Sequence, residues 1–289
     1  GYKHAGLFCS LMNATVENLV IDSSCSFTGS AAGALSVLVD GSLSVKHTTN
    51  YAVVLGEYRV GGFIGYMQGL EQGHVISFED NVNNANVTGK KDYVGGFVGY
   101  IRSNTNMTMT ISNSINNGNV TGGSTYVGGL IGKIEDNTKM TMTILCCVNN
   151  GTVTGSDYVG GFVGQIESYY SSCSITLDTM DSTNKGNVLA KKDRACGFVC
   201  VNSYSNYNVK TTIENIINKG SVNAATKSYG ITNNITVARN VVSMGNIFGK
   251  YGSFTFWDAS TDVQLFYGLD GKCIKCDGAT LFQHNTTTG

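Results

Sequence analysis

A heptapeptide recurs three times between residues 93 and 164 at a nearly constant interval. Residues 93–99 read YVGGFVG, residues 126–132 read YVGGLIG and residues 158–164 read YVGGFVG, so the steps are 33 and 32 residues. Self-similarity at such a period is typical of solenoids and propellers. Weaker copies extend the series in both directions, and the aligned glycines define eight units: Gly6, Gly33, Gly62, Gly96, Gly129, Gly161, Gly197 and Gly230.

Each unit continues with two further segments of strand character. Residues 107–112 read MTMTIS, and this alternation of apolar and polar side chains predicts a half-buried strand. Residues 115–122 read INNGNVTG, in which Asn-Gly predicts a sharp corner and Val-Thr-Gly a short third strand. We also expect Asn117 and Asn150, one unit apart, to stack as an amide ladder at this corner.

Three short strands in a unit of about 33 residues indicate an all-β fold, a right-handed parallel β-helix of about eight coils. A propeller blade, with four antiparallel strands in about 40 to 45 residues, fits the period less well. The repeat pattern ends near residue 249. We therefore expect the β-helix over residues 1–249 and a capping segment over residues 250–289.

The composition agrees with continuous β-structure. The chain has no proline, a residue that lacks the N–H group an interior strand donates, and it has 37 glycines for tight corners. Only 13% of the residues are charged and the net charge is −1. Without a basic patch, nucleic-acid binding is not expected, and no apolar run is long enough for membrane insertion.

Nine cysteines are scattered along the chain, a pattern that resembles the disulfides of a secreted protein. Cys273 and Cys276 form a CxxC motif, for which we predict a local disulfide; zinc binding is the alternative. The four histidines are never at ligand spacing. We therefore predict no metal site and no cofactor.

The strand that contains the heptapeptide is apolar on both of its alternating faces. A strand of this kind needs a cover beyond its own core, which either a flanking segment or another molecule would provide. If the cover is another molecule, the second face is an association stripe through which copies of the chain pack side by side. The residues of this predicted stripe are Val94, Val98, Val127, Ile131, Val159 and Val163.

The order of V-G-G-[FL]-[VI]-G, an alternating strand and N-x-G-N-V-T-G resembles the GLUG repeat. The resemblance is clearest over residues 58–164 and weaker over residues 1–57 and 165–249. GLUG repeats occur in large surface and secreted proteins of bacteria and some protists. The resemblance implies a β-solenoid with a stalk-like or adhesin-like role at the cell surface, and it carries over no catalytic residue. Cys196 and Cys200 replace glycines of the repeat.

Enzymes that act on polysaccharides also use parallel β-helices, and they need carboxylates on adjacent coils. The candidates here are Glu135 and Glu167, which both lie three residues after the last glycine of their heptapeptide, with Arg102 at the same position one unit earlier. Stacking would place the two carboxylates about 5 Å apart, close to the separation of a retaining pair. The alternative is a ladder of ion pairs with a structural role.

Seven Asn-x-Ser/Thr sequons are present, about the number that chance gives in so Asn-rich a chain. The predicted glycosylation sites are Asn13, Asn106, Asn234 and Asn285. Asn86 and Asn119 share one repeat position and are instead candidates for a ladder at a corner.

The sequence therefore predicts an extracellular or cell-surface β-solenoid with a structural or adhesive role, a stalk, coat or fibre subunit and not an enzyme. Its expected partners are copies of itself, and glycans or a host surface are further candidates. The alternative is a carbohydrate-active enzyme or a carbohydrate-binding module on the same scaffold.

Overall fold

The structure is a computed structural model of the 289-residue chain. It describes residues 3–69, 73–103, 106–136, 139–168, 174–201, 209–234, 236–249, 251–252, 264–266 and 273–275. Over these residues every regular element is a β-strand, and the strands stack as a parallel β-solenoid, as the period predicts. Only Gln264–Phe266 and Cys273–Lys275, which lie beyond the repeats, pair in antiparallel orientation.

The coil contributes strands to four sheets, which we number in the order in which the chain visits them. Sheet 1 consists of His4–Ala5, Ala31–Gly33, Val60–Gly61, Val94–Gly95, Thr125–Gly128, Asp157–Gly160, Arg194–Cys196, Lys227–Tyr229 and Tyr251–Gly252. Sheet 2 consists of Phe8–Leu11, Ser36–Val39, Ile64–Gly69, Val98–Ser103, Ile131–Asp136, Val163–Ser168 and Val199–Val201.

Sheet 3 has two columns of strands that join at Val209–Asn218. The first column consists of Ala14–Glu17, Leu43–Lys46, His74–Glu79, Met107–Ser112, Lys139–Leu145, Ser174–Met180, Val209–Asn218 and Val237–Ser243. The second consists of Val20–Ile21, Thr49–Asn50, Val82–Asn83, Ile115–Asn116, Val148–Asn149 and Thr183–Asn184. Sheet 4 consists of Ser26–Thr28, Val53–Gly56, Val87–Gly89, Val120–Gly122, Val153–Gly155, Val188–Ala190, Val222–Ala224 and Ile247–Phe248.

Corners divide each coil into more strands than the three that the sequence predicts. The heptapeptide bends at Gly96 and Phe97, so that it contributes to sheets 1 and 2 and not to one continuous strand. The alternating segment is interrupted at Asn113, whose φ of 49° is left-handed, and the same backbone recurs at Cys146 and Asp181 in the next coils. The last described turn has no strand in sheet 2, so complete coils are slightly fewer than the eight predicted.

Residues one unit apart are vertical neighbours. Phe97, Leu130 and Phe162 are fully buried, and the backbone N–H of each of the first two donates to the carbonyl oxygen of the next. Phe63 and Phe97 have ring centroids 5.0 Å apart. The register that the repeat implies is therefore confirmed, since side chains 32 or 33 positions apart pack directly against each other.

The interior holds two separate apolar clusters. The first contains side chains of sheet 2 and of the first column of sheet 3, such as Ile101 and Met109. The second contains side chains of sheets 1 and 4, such as Val94 and Val120. A pleated strand alternates its side chains, and the corner at Gly96 lets both Val94 and Val98 point into an interior cluster.

The predicted association stripe is therefore wrong. All six of its side chains have 0% exposure and pack inside the coil: Val94, Val127 and Val159 lie in the second cluster, and Val98, Ile131 and Val163 in the first. The prediction assumed that Val94 and Val98 lie on one face of a single straight strand. The corner at Gly96 and Phe97 instead places Val94 in sheet 1 and Val98 in sheet 2. The apolar cover that the second face needs comes from the coil itself.

A ladder of buried asparagines runs along the stack. Each side chain except the last donates from Nδ2 to Oδ1 of the asparagine in the next coil at 2.8–2.9 Å. The ladder consists of Asn50, Asn83, Asn116, Asn149, Asn184 and Asn218, all with 0% exposure. The predicted ladder of Asn117 and Asn150 is also present, one residue further on and exposed, with 2.6 Å between Nδ2 of Asn150 and Oδ1 of Asn117.

The disulfide within the described residues joins Cys196 to Cys200. Cys196 pairs with Gly160 of the preceding coil, and Cys200 follows Val199, the partner of Val163. Two cysteines thus occupy repeat positions that hold glycines in other coils. The predicted disulfide is not tested, since Cys276 and the side chain of Cys273 lie outside what the structure describes.

Candidate functional site

The strands of sheet 2 carry two columns of polar side chains outside the apolar core. In one column Tyr100 pairs with Lys133, and in the other Arg102 pairs with Glu135. Glu135 in turn pairs with Glu167 of the next coil. The register predicted for Arg102, Glu135 and Glu167 is therefore confirmed.

Lys133 lies between the two carboxylates. Its Nζ is 3.1 Å from Oε2 of Glu135 and 2.7 Å from Oε2 of Glu167. Arg102 approaches Glu135 from the other side, with 3.4 Å between Nε and Oε1. Two cations thus face two anions, and the cluster has no net charge. Lys133 is 2% exposed and the glutamates 8% and 9%, so the two ion pairs of Lys133 are shielded from water, whereas the side chain of Arg102 is 45% exposed.

Tyrosines enclose this cluster. The hydroxyl of Tyr100 donates a 2.7 Å hydrogen bond to Oε2 of Glu135. The ring of Tyr93 stacks on that of Tyr100 at 4.5 Å, and Nζ of Lys133 lies 4.8 Å from the ring centroid of Tyr126. Burial, and then the hydrogen bond to Glu135, raise the pKa of Tyr100 far above its usual value. This phenol therefore stays neutral and remains a donor to Glu135.

The tyrosine ladder extends beyond the ion cluster. Tyr93, Tyr126 and Tyr158 are registered in successive coils, with ring centroids 5.3 and 5.7 Å apart. All three have left-handed φ values between 50° and 65°. This backbone, at the start of the sheet 1 strands, lets the rings of Tyr93 and Tyr126 pack against side chains of sheet 2. The ring of Tyr158 lies 4.4 Å from Arg194 of the next coil in sheet 1.

This geometry favours a structural role for the two glutamates. A retaining glycosidase needs one carboxyl as a proton donor and the other as a nucleophile, with both open to the substrate. Here one ammonium group binds both carboxylates, and the side chains are almost completely covered. Removing one partner of a buried ion pair costs about 3–5 kcal/mol because the other charge is left unpaired, so Lys133 is required once the two carboxylates are buried.

Sequence reasoning identified the column of Arg102, Glu135 and Glu167 but missed Lys133 and the tyrosines. The signal was available, because the repeated tyrosine before each Val-Gly-Gly is part of the heptapeptide. The alternation of a straight strand assigns that tyrosine to the core face. Its left-handed backbone, which the sequence does not reveal, directs it elsewhere.

The predicted glycosylation sites differ in accessibility. Asn13 and Asn106 are exposed, although Oδ1 of Asn13 also accepts a hydrogen bond from the N–H of Ser42 at 3.1 Å. Asn234 is half-buried, and Asn285 lies outside the described residues. The ladder interpretation of Asn86 and Asn119 is confirmed, since Oδ1 of Asn86 accepts a 2.9 Å hydrogen bond from the N–H of Asn119.

Within the described part of the chain, no group of three or more His, Cys, Asp or Glu side chains is arranged to hold a metal ion. No helix in that part has the length and apolar character that crossing a membrane requires.

The fold and this site define a parallel β-solenoid protein with a covered ion and tyrosine cluster on one sheet. No protein-family model, curated protein or solved structure matches the chain significantly.

Proposed function

We propose that this chain is an extracellular structural or adhesive β-solenoid, a stalk, coat or fibre subunit at the cell surface. The observation that carries the proposal is the buried asparagine ladder. Because each amide binds its counterparts in the neighbouring coils at 2.8–2.9 Å, six coils share one hydrogen-bonded spine. A stack linked in this way resists bending and separation of its coils, as a stalk or coat requires.

Three observations favour an extracellular location. The disulfide between Cys196 and Cys200 is of a kind that persists in oxidising compartments. Asn13 and Asn106 provide exposed sequons for glycosylation. The resemblance to GLUG repeats points to surface and secreted proteins.

We also propose that copies of the chain associate, through a surface other than the buried valine stripe. The second strands of sheet 3 present an outer column of β-branched side chains, among which Val82, Ile115 and Val148 are half-buried and Val20 is 63% exposed. These apolar side chains line up along the stack because Val82 pairs with Ile115 and Ile115 with Val148. Sedimentation of the wild type should show dimers or larger species that Ile115→Lys reduces.

The location is tested on intact cells of the source organism. Antibodies raised against the purified chain should stain unpermeabilised cells, and brief surface proteolysis should remove the signal. Staining that requires permeabilisation would refute an extracellular role. The dimer is tested separately: a monomer at all accessible concentrations would refute self-association but not the surface location.

Catalysis is the weaker alternative, because Lys133 and Tyr100 already engage the two candidate carboxylates. An assay of reducing-sugar release over a panel of polysaccharides tests it. We expect no release. Release by the wild type that is lost in Glu167→Gln would establish the enzyme and contradict the proposal.

A further inference from the structure

A recess of about 450 Å³ lies at the corner between sheet 4 and sheet 1, in the first three coils. Its lining residues include Thr28, Ser30 and Thr88, which carry hydroxyl groups, and the apolar residue Leu55. Lys3 and Lys90 also line it. The recess is separate from the ion cluster of sheet 2.

The recess arises because this corner lengthens by one residue from each coil to the next along the chain. Sheet 4 pairs Thr28 with Leu55 and Leu55 with Thr88, and sheet 1 pairs Ala32 with Val60 and Val60 with Val94. Between these fixed positions the corner has five residues at 89–93, four at 56–59 and three at 29–31. The longest corner therefore projects beyond the two shorter ones, and the step between them is concave.

The charges at the recess are unbalanced. Lys3 and Lys90 are both exposed, and neither forms an ion pair within the part of the chain that the structure describes. The one carboxylate at the recess, that of Glu57, lies 3.6 Å from Nζ of Lys91, which offsets its charge. Two ammonium groups are thus available to an anion in a chain whose net charge is −1.

The other surfaces of the recess match a polyhydroxylated ring. Leu55 is 39% exposed and presents an apolar surface, while the threonine and serine hydroxyls both donate and accept hydrogen bonds. Small-molecule sites combine an apolar surface with a few polar groups and have volumes of about 300–1,000 Å³. An inorganic anion alone would leave the exposed apolar surface of Leu55 uncovered.

We propose that this recess binds an acidic saccharide, a sugar that carries a carboxylate. The carboxylate pairs with Lys90, the ring hydroxyls exchange hydrogen bonds with Thr28 and Thr88, and an apolar edge of the ring covers Leu55. The inference deepens the adhesive form of the proposed function, on which it rests, by giving the chemical class of the adhesion ligand.

The test compares sialyllactose with lactose, which lacks the acidic residue, by calorimetric titration of the purified full chain. We expect saturable binding of sialyllactose only. Lys90→Ala should weaken it by about tenfold, the lower end of what a hydrogen bond between charged groups contributes. Added salt should weaken it further because the lysines are exposed.

Lys191→Ala is the matched control. Lys90 and Lys191 each follow a sheet 4 strand and donate the same backbone hydrogen bond, to the carbonyl oxygens of Gly56 and Gly155 at 2.9 and 3.0 Å. Lys191 is also exposed but does not line the recess. The control should bind sialyllactose as the wild type does, and both variants should melt at the wild-type temperature.

Four results would overturn the inference: no binding of sialyllactose, equal binding of lactose, equal losses in Lys90→Ala and Lys191→Ala, or equally tight binding of inorganic phosphate. Surface staining of intact cells is independent of these titrations. A chain that is displayed on the surface but fails them would retain its structural role and lose only the saccharide site.

Discussion

Replacing Gly129 by valine tests the stacking of the coils most directly. A Cβ atom at this position would lie 2.0 Å from the carbonyl oxygen of Gly161 and 2.7 Å from Cγ of Asn149. The first neighbour is backbone of the next coil, and the second belongs to the buried asparagine ladder. The φ of Gly129 is not left-handed, so the expected penalty comes from the steric clash.

The expected cost is large because neither neighbour has room to retreat. Overpacking a close-packed interior costs about 1–3 kcal/mol, and a clash with backbone on the ladder side belongs at the upper end. A loss of about 3 kcal/mol lowers the melting temperature of a chain of this size by about 6–12 °C. In a solenoid the damage falls on the interface between two coils, so the transition should also broaden.

Thr110→Val is the control, since it introduces the same side chain on the outer surface of sheet 3. Thr110 is half-buried, and we expect its replacement to change stability by no more than about 0.5 kcal/mol. Thermal unfolding followed by circular dichroism compares the two variants, and Gly129→Ala gives the effect of a single added carbon. Melting temperatures of Gly129→Val and Thr110→Val within about 2 °C of each other would refute the stacked register.

Three further predictions address the polar groups. Asn116→Ala removes a 2.8 Å hydrogen bond to Asn149 in the buried ladder and should lower the free energy of unfolding in urea by about 2–4 kcal/mol. Asn117→Ala, in the exposed ladder, should lower it by less than about 1 kcal/mol. Equal costs would contradict the assignment of Asn116 to a buried ladder and Asn117 to an exposed one. The raised pKa of Tyr100 means that its contribution to stability is present below pH ~10 and is lost as the pH rises further. In an ultraviolet titration of tyrosinate, the difference between the wild type and Tyr100→Phe should therefore show no ionisation near pH 10; a step there would contradict the burial. Burial raises the pKa of Cys147 to about 12, whereas Cys146 is exposed. Iodoacetamide at pH ~8 should therefore modify Cys146 and spare Cys147, which peptide mass spectrometry checks. Equal labelling of the two cysteines would be inconsistent with the fold.

The candidate site could be predicted only as a column of charges. The repeat places Arg102, Glu135 and Glu167 above one another whatever the path of the coil, and the structure confirms this. What those charges do depends on Lys133, which comes from the neighbouring column of sheet 2, and on tyrosines that arrive from sheet 1. Such contacts depend on where the coil turns, and the period carries no information on that.

The wrong assignment of Val94 and Val98 has the same origin. An apolar strand with two apolar faces needs a cover, but the sequence does not show whether another molecule or a bend in the chain provides it. The disulfide of Cys196 and Cys200 was missed because the pairing of two cysteines four positions apart depends on the tight turn between sheets 1 and 2.

The sequence by itself determined the period, the absence of proline and the identity of the residues that repeat. These fix a parallel β-solenoid and its vertical register, because stacking identical coils is the arrangement in which every copy buries the same side chains. Only the tertiary structure decided which side chains of the heptapeptide face inward. That choice depends on the left-handed backbone at Asn113 and Tyr126 and on the bend at Gly96, because each of these corners changes the direction in which the following side chains point. Hydrogen bonds to the coils above and below hold the corners in place.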